Sequence, residues 1–579
     1  MQKIIRRRDV EAVEAAFGNS LHPLLSRIYR GRGIASASEL NLALDQLLPP
    51  SRLLNADSAA VLLANALESN QRILIVGDFD ADGATSTALA VSALKAFGAR
   101  QVDFLVPNRF EYGYGLTPEI VALAAGRQPD LIITVDNGIS SLEGVDAANK
   151  AGIATLITDH HLAGRELPAA DVIVNPNQPD CAFPSKNLAG VGVIFYIMLA
   201  LRAELRRRKW FDSRPEVNLG HYLDLVALGT VADVVPLDRN NRILVAGGLA
   251  RIRAGQGRTG IHALLDVASR RHASVVASDL GFAVGPRINA AGRLDDMSIG
   301  IACLLSDDAA EAASLAGELQ QLNQDRRSIE KGMQEEAMQI LAKLAIEGPQ
   351  EPPVAMTLYQ GGWHQGVIGI LASRIKDRLH RPVIAFADGD PGQIKGSARS
   401  IPGIHIRDIL DAVATRHPGL ISKFGGHAMA AGMTLMRDDY DRFSAAFTEE
   451  VARHAEDLEL QAVIESDGEL TEPDFSLELA TALRYAGPWG QHFPEPVFDG
   501  RFDVVSQRLV GERHVKLVLC VTGGRQVLDA IAFNVDLDIW PDQGIEQIDI
   551  AYRLDVNEFR GQQSVQLVVE HLVPVAAGG

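Results

Sequence analysis

The stretch Ile73–Ala90 reads ILIVGDFDADGATSTALA, and its reading decides the fold. Four β-favouring residues, Ile73, Leu74, Ile75 and Val76, run into Gly77 as a buried parallel strand does, and Gly83 followed by Ala84, Thr85 and Ser86 suits a tight turn into a helix. Asp78, Asp80 and Asp82 then stand at the carboxyl end of a strand, where open α/β sheets place ligands. In extended chain, residues two apart face the same way, so Asp80 and Asp82 are expected to converge on one cation. A phosphate-cradling loop does not fit. The GxxxxGK[ST] spacing is missed by one residue between Gly77 and Gly83, and no lysine follows. Alone, the acidic turn reads equally as solvated surface, so the case rests on the rest of the chain.

Outward from this stretch, helical and strand patterns alternate. A helical pattern from about Leu53 leads in; a helix through Lys95, strand QVDFLVP, a helix from Pro118, strand LIITVDNG, helix LEGVDAANKAG and strand ATLITDHH follow. Such alternation means a parallel sheet. Carboxylates and imidazoles recur at successive strand ends: Asp136 after LIITV, then Asp159, His160 and His161 after ATLIT. In LDLVALGTVADVVPLD, Asp233 follows an apolar run and Asp224 precedes it. Asp233 is the better ligand candidate, and Asp224 is about as plausible on spacing alone. Hard carboxylates with one or two imidazoles fit Mn²⁺ or Mg²⁺ better than zinc, and two such ions about 3.5–4 Å apart clamp both oxygens of a phosphoryl transfer. Hydrolysis of a phosphate ester or anhydride is the implied chemistry.

At 579 residues the chain exceeds a single core. With 47% hydrophobic and 22% charged residues it reads as globular, and its longest apolar run, from Val191 to Leu201, is too short to span a membrane. The basic opening MQKIIRRRDVEAVEAAFG lacks an apolar core and is expected as a surface helix, not a signal peptide, which implies a cytoplasmic protein. Cys181, Cys303 and Cys520 lie far apart without a CxxC, against a disulfide framework or zinc site. A net charge of −18 argues against indiscriminate polyanion binding without excluding a nucleic-acid channel.

Residues 240–350 lose the strand alternation. From Asp307 to Glu347, Leu315, Leu319, Leu322, Ile329, Met333 and Ile340 recur at helical steps, a long helix of roughly 60 Å that is expected to bridge two lobes. Before it, GFAVGPRINAAGRLDD offers Arg287, Asn289 and Arg293 as groups able to face phosphates. A second lobe follows, with strands VAMTLYQ and RPVIAFA, the segments GGWHQGVIGILASRI and GQIKGSARSIPGIHI, and KFGGHAMAAGMTL, whose His427 sits among small residues that leave it accessible. The tail, roughly 465–575, reads as about five strands joined by glycine- or charge-bearing turns, a small β-barrel.

Four stations, VGDFDADG, TVDNG, TDHH and GTVADVVPL, in this order resemble the signature of the DHH phosphoesterase superfamily. GGHAMAAG resembles the substrate-binding element of the DHH-associated C-terminal domain, and WHQGVIGILASR and GSARS are similar to the version found in the superfamily's single-strand exonuclease branch. The resemblance implies a multidomain α/β protein: an N-terminal extension (1–50), a DHH parallel-sheet catalytic domain (51–240), a helical region with a long connecting helix (241–350), a DHH-associated α/β domain (351–462) and a C-terminal OB-like β-barrel (463–579). It makes Asp80, Asp82, Asp136, His160 and Asp233 metal ligands for one or two Mn²⁺ or Mg²⁺ ions, with His161 facing the scissile phosphate and Asp78 and Asp159 supporting them from behind. Asn137, Arg287 and His427 are expected at the substrate, and Arg109, Ser397 and Arg399 at a terminal 5′ phosphate. The implied activity is 5′-to-3′ hydrolysis of single-stranded DNA to mononucleotides in recombination and repair, beside a single-strand-binding protein and a DNA helicase. The rivals are a phosphodiesterase of short oligonucleotides or cyclic dinucleotides, which leaves the barrel without a job, and an inactive replication-associated scaffold, which has no reason to retain five mutually repelling ligands.

Overall fold

The computed structural model of the chain describes residues 3–10, 17, 21–108, 112, 115–347, 353–455, 460–537 and 539–575. The chain divides into two compact units, one of Arg7–Leu322 with Glu465–Gly579 and one of Met1–Arg6 with Asn323–Ile464.

The chain opens with strand β1 (Ile4–Arg7) and helices α1 (Pro23–Arg30) and α2 (Ala56–Glu68). The expectation of a surface helix at the start is corrected at Ile4–Arg7, which form a strand. β-branched Ile4 and Ile5 pair with a later strand instead of starting an amphipathic turn. A parallel sheet follows as β2 (Ile73–Gly77), α3 (Ala81–Phe97), β3 (Val102–Leu105), α4 (Pro118–Ala125), β4 (Leu131–Val135), α5 (Leu142–Lys150), β5 (Ala154–Thr158) and β6 (Val172–Val174). All its pairings are parallel, in the order β3-β2-β4-β5-β6. Alternate residues of each strand feed separate cores. Ile73 and Ile75 pack with α2, α3 and the later α6 (Gly190–Arg207), whereas Leu74 and Val76 pack with α4 and α5 on the other face. The order reverses between β2 and β4. In an open α/β sheet such a reversal leaves a crevice outside the carboxyl ends of the two strands, and ligands bind there.

Two glycine contacts set how closely α3 enters this crevice. A Cβ on Gly83 would lie 2.4 Å from the carbonyl oxygen of Asp78, and one on Gly77 would lie 2.3 Å from Thr87 Oγ1. The turn is therefore shorter than expected. Asp80 is the N-cap of α3, accepting the Gly83 N–H at 3.0 Å, and Asp82 already sits in the helix's first turn, not in extended chain.

Helices α7 (Leu223–Ala232), α8 (Arg239–Arg253), α9 (Thr259–Val267), the single turn α10 (Ala277–Asp279), α11 (Gly285–Leu294) and α12 (Ser298–Leu305) complete this face, and α13 (Ala309–Glu347) continues for 39 residues into the second unit. That unit holds β7 (Met356–Tyr359), α14 (Ile368–Leu379), β8 (Val383–Asp388), β9 (Gln393–Arg399), α15 (Ile406–Arg416), β10 (Lys423–Gly426), β11 (Ala430–Met436) and α16 (Tyr440–Ala455), with sheet order β10-β11-β9-β8-β7. β12 (Val463–Ser466) pairs with β1. After α17 (Leu477–Tyr485), strands β13 (Phe498–Val510), β14 (His514–Val521), β15 (Val527–Ala532), β16 (Gln547–Phe559) and β17 (Gln562–Pro574) close a barrel in the order β13-β14-β15-β17-β16.

The apolar interior of the barrel is continuous with that of the parallel sheet. Tyr29, in the segment expected as an N-terminal extension, stacks on Trp489 and Phe493 at centroid distances of 6.1 and 6.4 Å, and Arg32 pairs with Asp467 at 2.8 Å with both side chains buried. The early helix is thus part of the joint between sheet and barrel. The three cysteines are free thiols, and no described helix is long and apolar enough to cross a membrane.

Candidate active site

The acidic groups read from the sequence meet at the carboxyl ends of β2, β4 and β5. His160 Nε2 lies 3.1 Å from Asp136 Oδ1 and 3.5 Å from Asp233 Oδ2. Ligand-type atoms come within 4.8 Å of one another in three sets: Asp78, Asp80 and Asp136; Asp82, His160 and Asp233; and Asp136, His160 and His161. Asp80 and Asp82 thus enter different sets, adjoining through the Asp136–His160 pair. Asp78, expected behind the ligands, has a carboxylate oxygen in the first set. Asp233 lies in the cluster, whereas Asp224 is fully buried elsewhere, with Oδ2 accepting the Arg258 N–H at 2.6 Å and Oδ1 that of Leu225 at 2.9 Å.

Two residues at the cluster are left-handed. Asp136 has φ +63°, and Val234, directly after Asp233, has φ +60°, a left-handed conformation disfavoured for a β-branched residue. Asp136 N–H is held by the Thr158 carbonyl at 3.0 Å. Asp82 is anchored by the start of α6, whose Gly190 and Val191 N–H groups donate to its two oxygens at 2.6 and 2.9 Å. Helix α11 clamps the loop from outside. Asn289 Oδ1 accepts the Ala81 N–H at 2.8 Å, and a Cβ on Gly292 would lie 1.9 Å from the Phe79 carbonyl oxygen.

Asp159 organises the histidines. Its Oδ1 accepts the N–H groups of His160 (2.7 Å) and His161 (3.1 Å) and meets His161 Nδ1 at 2.7 Å, while Oδ2 accepts the Ile139 N–H at 2.9 Å. Burial opposes charge on both partners, but the pairing prevails: Asp159 is held below the usual carboxylate range, and His161 rises to about 9 through Asp159, Asp233 and Asp78. The other carboxylates shift oppositely. Burial and then the charge of Asp80 raise Asp82 to about 7, and burial with the neighbouring aspartates pushes Asp136 and Asp233 well above the usual range. So much like charge in a buried crevice fits a divalent cation, and oxygen donors with one imidazole suit Mn²⁺ or Mg²⁺.

Of the residues expected at the substrate, Asn137 lies closest to the sheet. It is buried, and its Nδ2 donates to the carbonyls of Val76 (3.1 Å) and Val135 (2.9 Å), stitching β2 to β4. Its amide nitrogen is taken up where the strand ends leave carbonyls to satisfy. Arg287 is nearly buried on α11, with Nη1 donating to the Ala283 carbonyl at 2.5 Å. In the second unit, Arg399 Nη1 donates to Ser397 Oγ at 3.0 Å and to the Ala398 carbonyl at 2.8 Å. His427 is exposed at the β10–β11 turn, and Trp363 is packed, its Nε1 donating to Glu336 at 2.7 Å. Arg109 lies outside the described residues. Sequence reading passed over Gly190, Asn175 and Asn177, the last two bonding the carbonyls of the histidine pair. The helix start after Ala189 and the NPN turn after a strand were the available signals.

Residues 72–230 match the DHH family, N-terminal domain; 351–453 match the DHHA1 domain; and 466–571 match the RecJ OB domain. The single-stranded-DNA-specific exonuclease RecJ of Dickeya dadantii is 56% identical over 573 residues, covering 99% of each chain. The chain belongs to the RecJ family. The RecJ of Escherichia coli is 54% identical over 573 residues, again 99% of each chain. Among solved structures, RecJ from Thermus thermophilus in complex with Mn²⁺ has a TM-score of 0.78 at 30% identity, with 96% of this chain and 76% of that one covered. Its Mg²⁺ complex has a TM-score of 0.73 at 29% identity, with 96% and 75% covered. The fold expected from the sequence, with DHH, DHH-associated and OB parts, is thus the fold of the RecJ family, and Mn²⁺ and Mg²⁺ are the ions of its Thermus member.

Proposed function

We propose that this RecJ-family chain is a metal-dependent exonuclease that hydrolyses single-stranded DNA from the 5′ end to mononucleotides. The observation carrying this reading is the convergence of Asp78, Asp80, Asp82, Asp136, His160 and Asp233 at the reversal point of the parallel sheet. Asp78, Asp80 and Asp136 form one donor set, and Asp82, His160 and Asp233 another. These residues would hold Mn²⁺ or Mg²⁺, which would supply an activated water and neutralise charge developing on the phosphate oxygens. With Nδ1 engaged by Asp159, which favours its charged form, the His161 imidazolium donates through Nε2 to the scissile phosphate. Ser397 and Arg399 bind the terminal 5′ phosphate, and a forked guanidinium suits a phosphate monoester. Arg287 and His427 contact the strand, and the barrel binds it as OB folds do. The setting is cytoplasmic recombination and repair, with a single-strand-binding protein and a helicase as partners.

The test is digestion of long single-stranded DNA labelled at either end, with Mn²⁺, with Mg²⁺ and with chelator, beside a blunt duplex and a dinucleotide. Metal-dependent release of mononucleotides from the 5′ end, absent on the duplex, is the expected result. Cleavage of the dinucleotide alone moves the chain to the short-oligonucleotide phosphodiesterases, and no metal-dependent cleavage of any substrate leaves a scaffold.

A further inference from the structure

Strand β6 ends in Asn175-Pro176-Asn177, a turn with no role in the chemistry above. Both asparagine amides reach back to the histidine pair. Asn177 Nδ2 donates to the His160 carbonyl at 2.6 Å and to the Lys186 carbonyl at 3.2 Å, and Asn175 Nδ2 donates to the His161 carbonyl at 2.9 Å. Asn175 Oδ1 accepts the Asn177 N–H at 2.7 Å, an Asx turn that fixes one amide relative to the other. Lys186 ties the turn down, its Nζ donating to the carbonyls of Pro176 at 2.6 Å and Cys181 at 2.5 Å. On the opposite side, Asp159 holds the N–H of each histidine. The peptide groups of His160 and His161 are therefore gripped at N–H by one carboxylate and at each carbonyl by one amide.

We propose that Asn175 and Asn177 are positioning residues of the metal centre, setting the backbone of His160 and His161 so that His160 Nε2 stands between Asp136 and Asp233. The inference rests on the assignment of His160 as a metal ligand. An imidazole carried on a loop has two side-chain torsions of its own, so holding it within the roughly 0.5 Å that a coordination site demands requires a fixed main chain. Asn175 is fully buried, and its amide is spent wholly on this loop. Groups behind metal ligands act in this way, and their loss weakens metal binding about 10–100-fold.

The test is a titration of the full chain with Mn²⁺, following free Mn²⁺ by electron paramagnetic resonance. Asn177→Ala is compared with Asp136→Ala and with Asn149→Ala. Asn149 makes the same kind of bond, amide to the Ala169 carbonyl at 2.9 Å, on an exposed face outside the cluster. Asn177→Ala is expected to bind Mn²⁺ about 10-fold more weakly, with a melting temperature no lower than that of Asn149→Ala. Its DNA cleavage recovers as Mn²⁺ is raised, at unchanged KM for DNA. Should Asn177→Ala fail to fold, Asn177→Leu, which keeps the side-chain volume, takes its place. Wild-type Mn²⁺ affinity in the folded variant, with binding lost in Asp136→Ala, overturns the positioning role alone. Wild-type affinity in Asp136→Ala overturns the assigned metal centre, and this inference with it.

Discussion

Asp82 accepts the Gly190 N–H at 2.6 Å across 108 positions of sequence, and the same glycine lies against a second carboxylate. A Cβ at Gly190 would fall 2.6 Å from Asp136 Cβ and 2.7 Å from its Oδ1. Gly190→Ala is therefore expected to displace both carboxylates, costing about 1–3 kcal/mol of stability as overpacking does. Its kcat/KM on single-stranded DNA should fall well over about 10-fold, given what an ångström of misplacement costs. Melting curves and strand digestion check both, and an unperturbed variant would refute the need for this close approach.

Asp136 is central to the cluster: it belongs to two of the three donor sets and lies 3.1 Å from His160. Asp136→Ala is expected to lower cleavage at least about 1000-fold by removing a ligand shared by two of the three sets, while binding of single-stranded DNA survives, since the contacts proposed for the barrel and second unit do not involve it. Fluorescence anisotropy and a digestion assay separate the two effects.

The acidic cluster makes the metal-free chain less stable as pH rises. Asp82 sits at about 7, raised by burial and then by Asp80, against an ordinary value of 3.8, so the folded state holds this proton more tightly than the unfolded one. That contribution is present below the ordinary value and is lost as pH climbs through about 7; Asp136 and Asp233 shift the same way. In chelator, the melting temperature is expected to fall from about pH 5.5 to about pH 8, and Mn²⁺ should raise it more at the upper end, where protons compete less. The fall should be shallower in Asp82→Asn. A melting temperature that rises across this range in chelator would contradict the assignment.

Arg399→Ala should leave the metal centre untouched and weaken discrimination between 5′-phosphorylated and 5′-hydroxyl strands. The loss of a charge-assisted hydrogen bond, about 1.5–3 kcal/mol, corresponds to roughly 10–100-fold in KM for the phosphorylated strand. Steady-state kinetics on matched oligonucleotides read it directly, and retained discrimination would move the 5′-phosphate site elsewhere.

The parallel sheet was legible because a strand buried on both faces is an uninterrupted apolar run, and ILIVG, LIITV and ATLIT each empty into a polar residue at the crevice. The barrel was legible for the opposite reason: HVKLVLCV and its neighbours alternate. Local pattern could not reveal features that depend on distant contacts. Asp82 entered the helix early because Gly83 lets α3 sit against Asp78, and Asn137 turned inward because two strand-end carbonyls required a donor. Ile4–Arg7 became a strand because its partner, β12, arrives far downstream, as the 492-position separation of the Arg7–Asp499 contact illustrates. Asn175 and Asn177 read as an ordinary turn until the carbonyls they hold are seen.

The barrel's closure bears on how the chain is made. β15 pairs in parallel with β17, and β17 pairs with β16, so the last of the five strands to leave the ribosome is the one that seals the cylinder. Its interior is continuous with the core of the catalytic sheet, built from residues synthesised before the second unit intervenes. The barrel, and with it this shared core, is therefore completed only once translation has passed Pro574. Until then β15 and β16 each present an unpaired edge to the barrel's open seam.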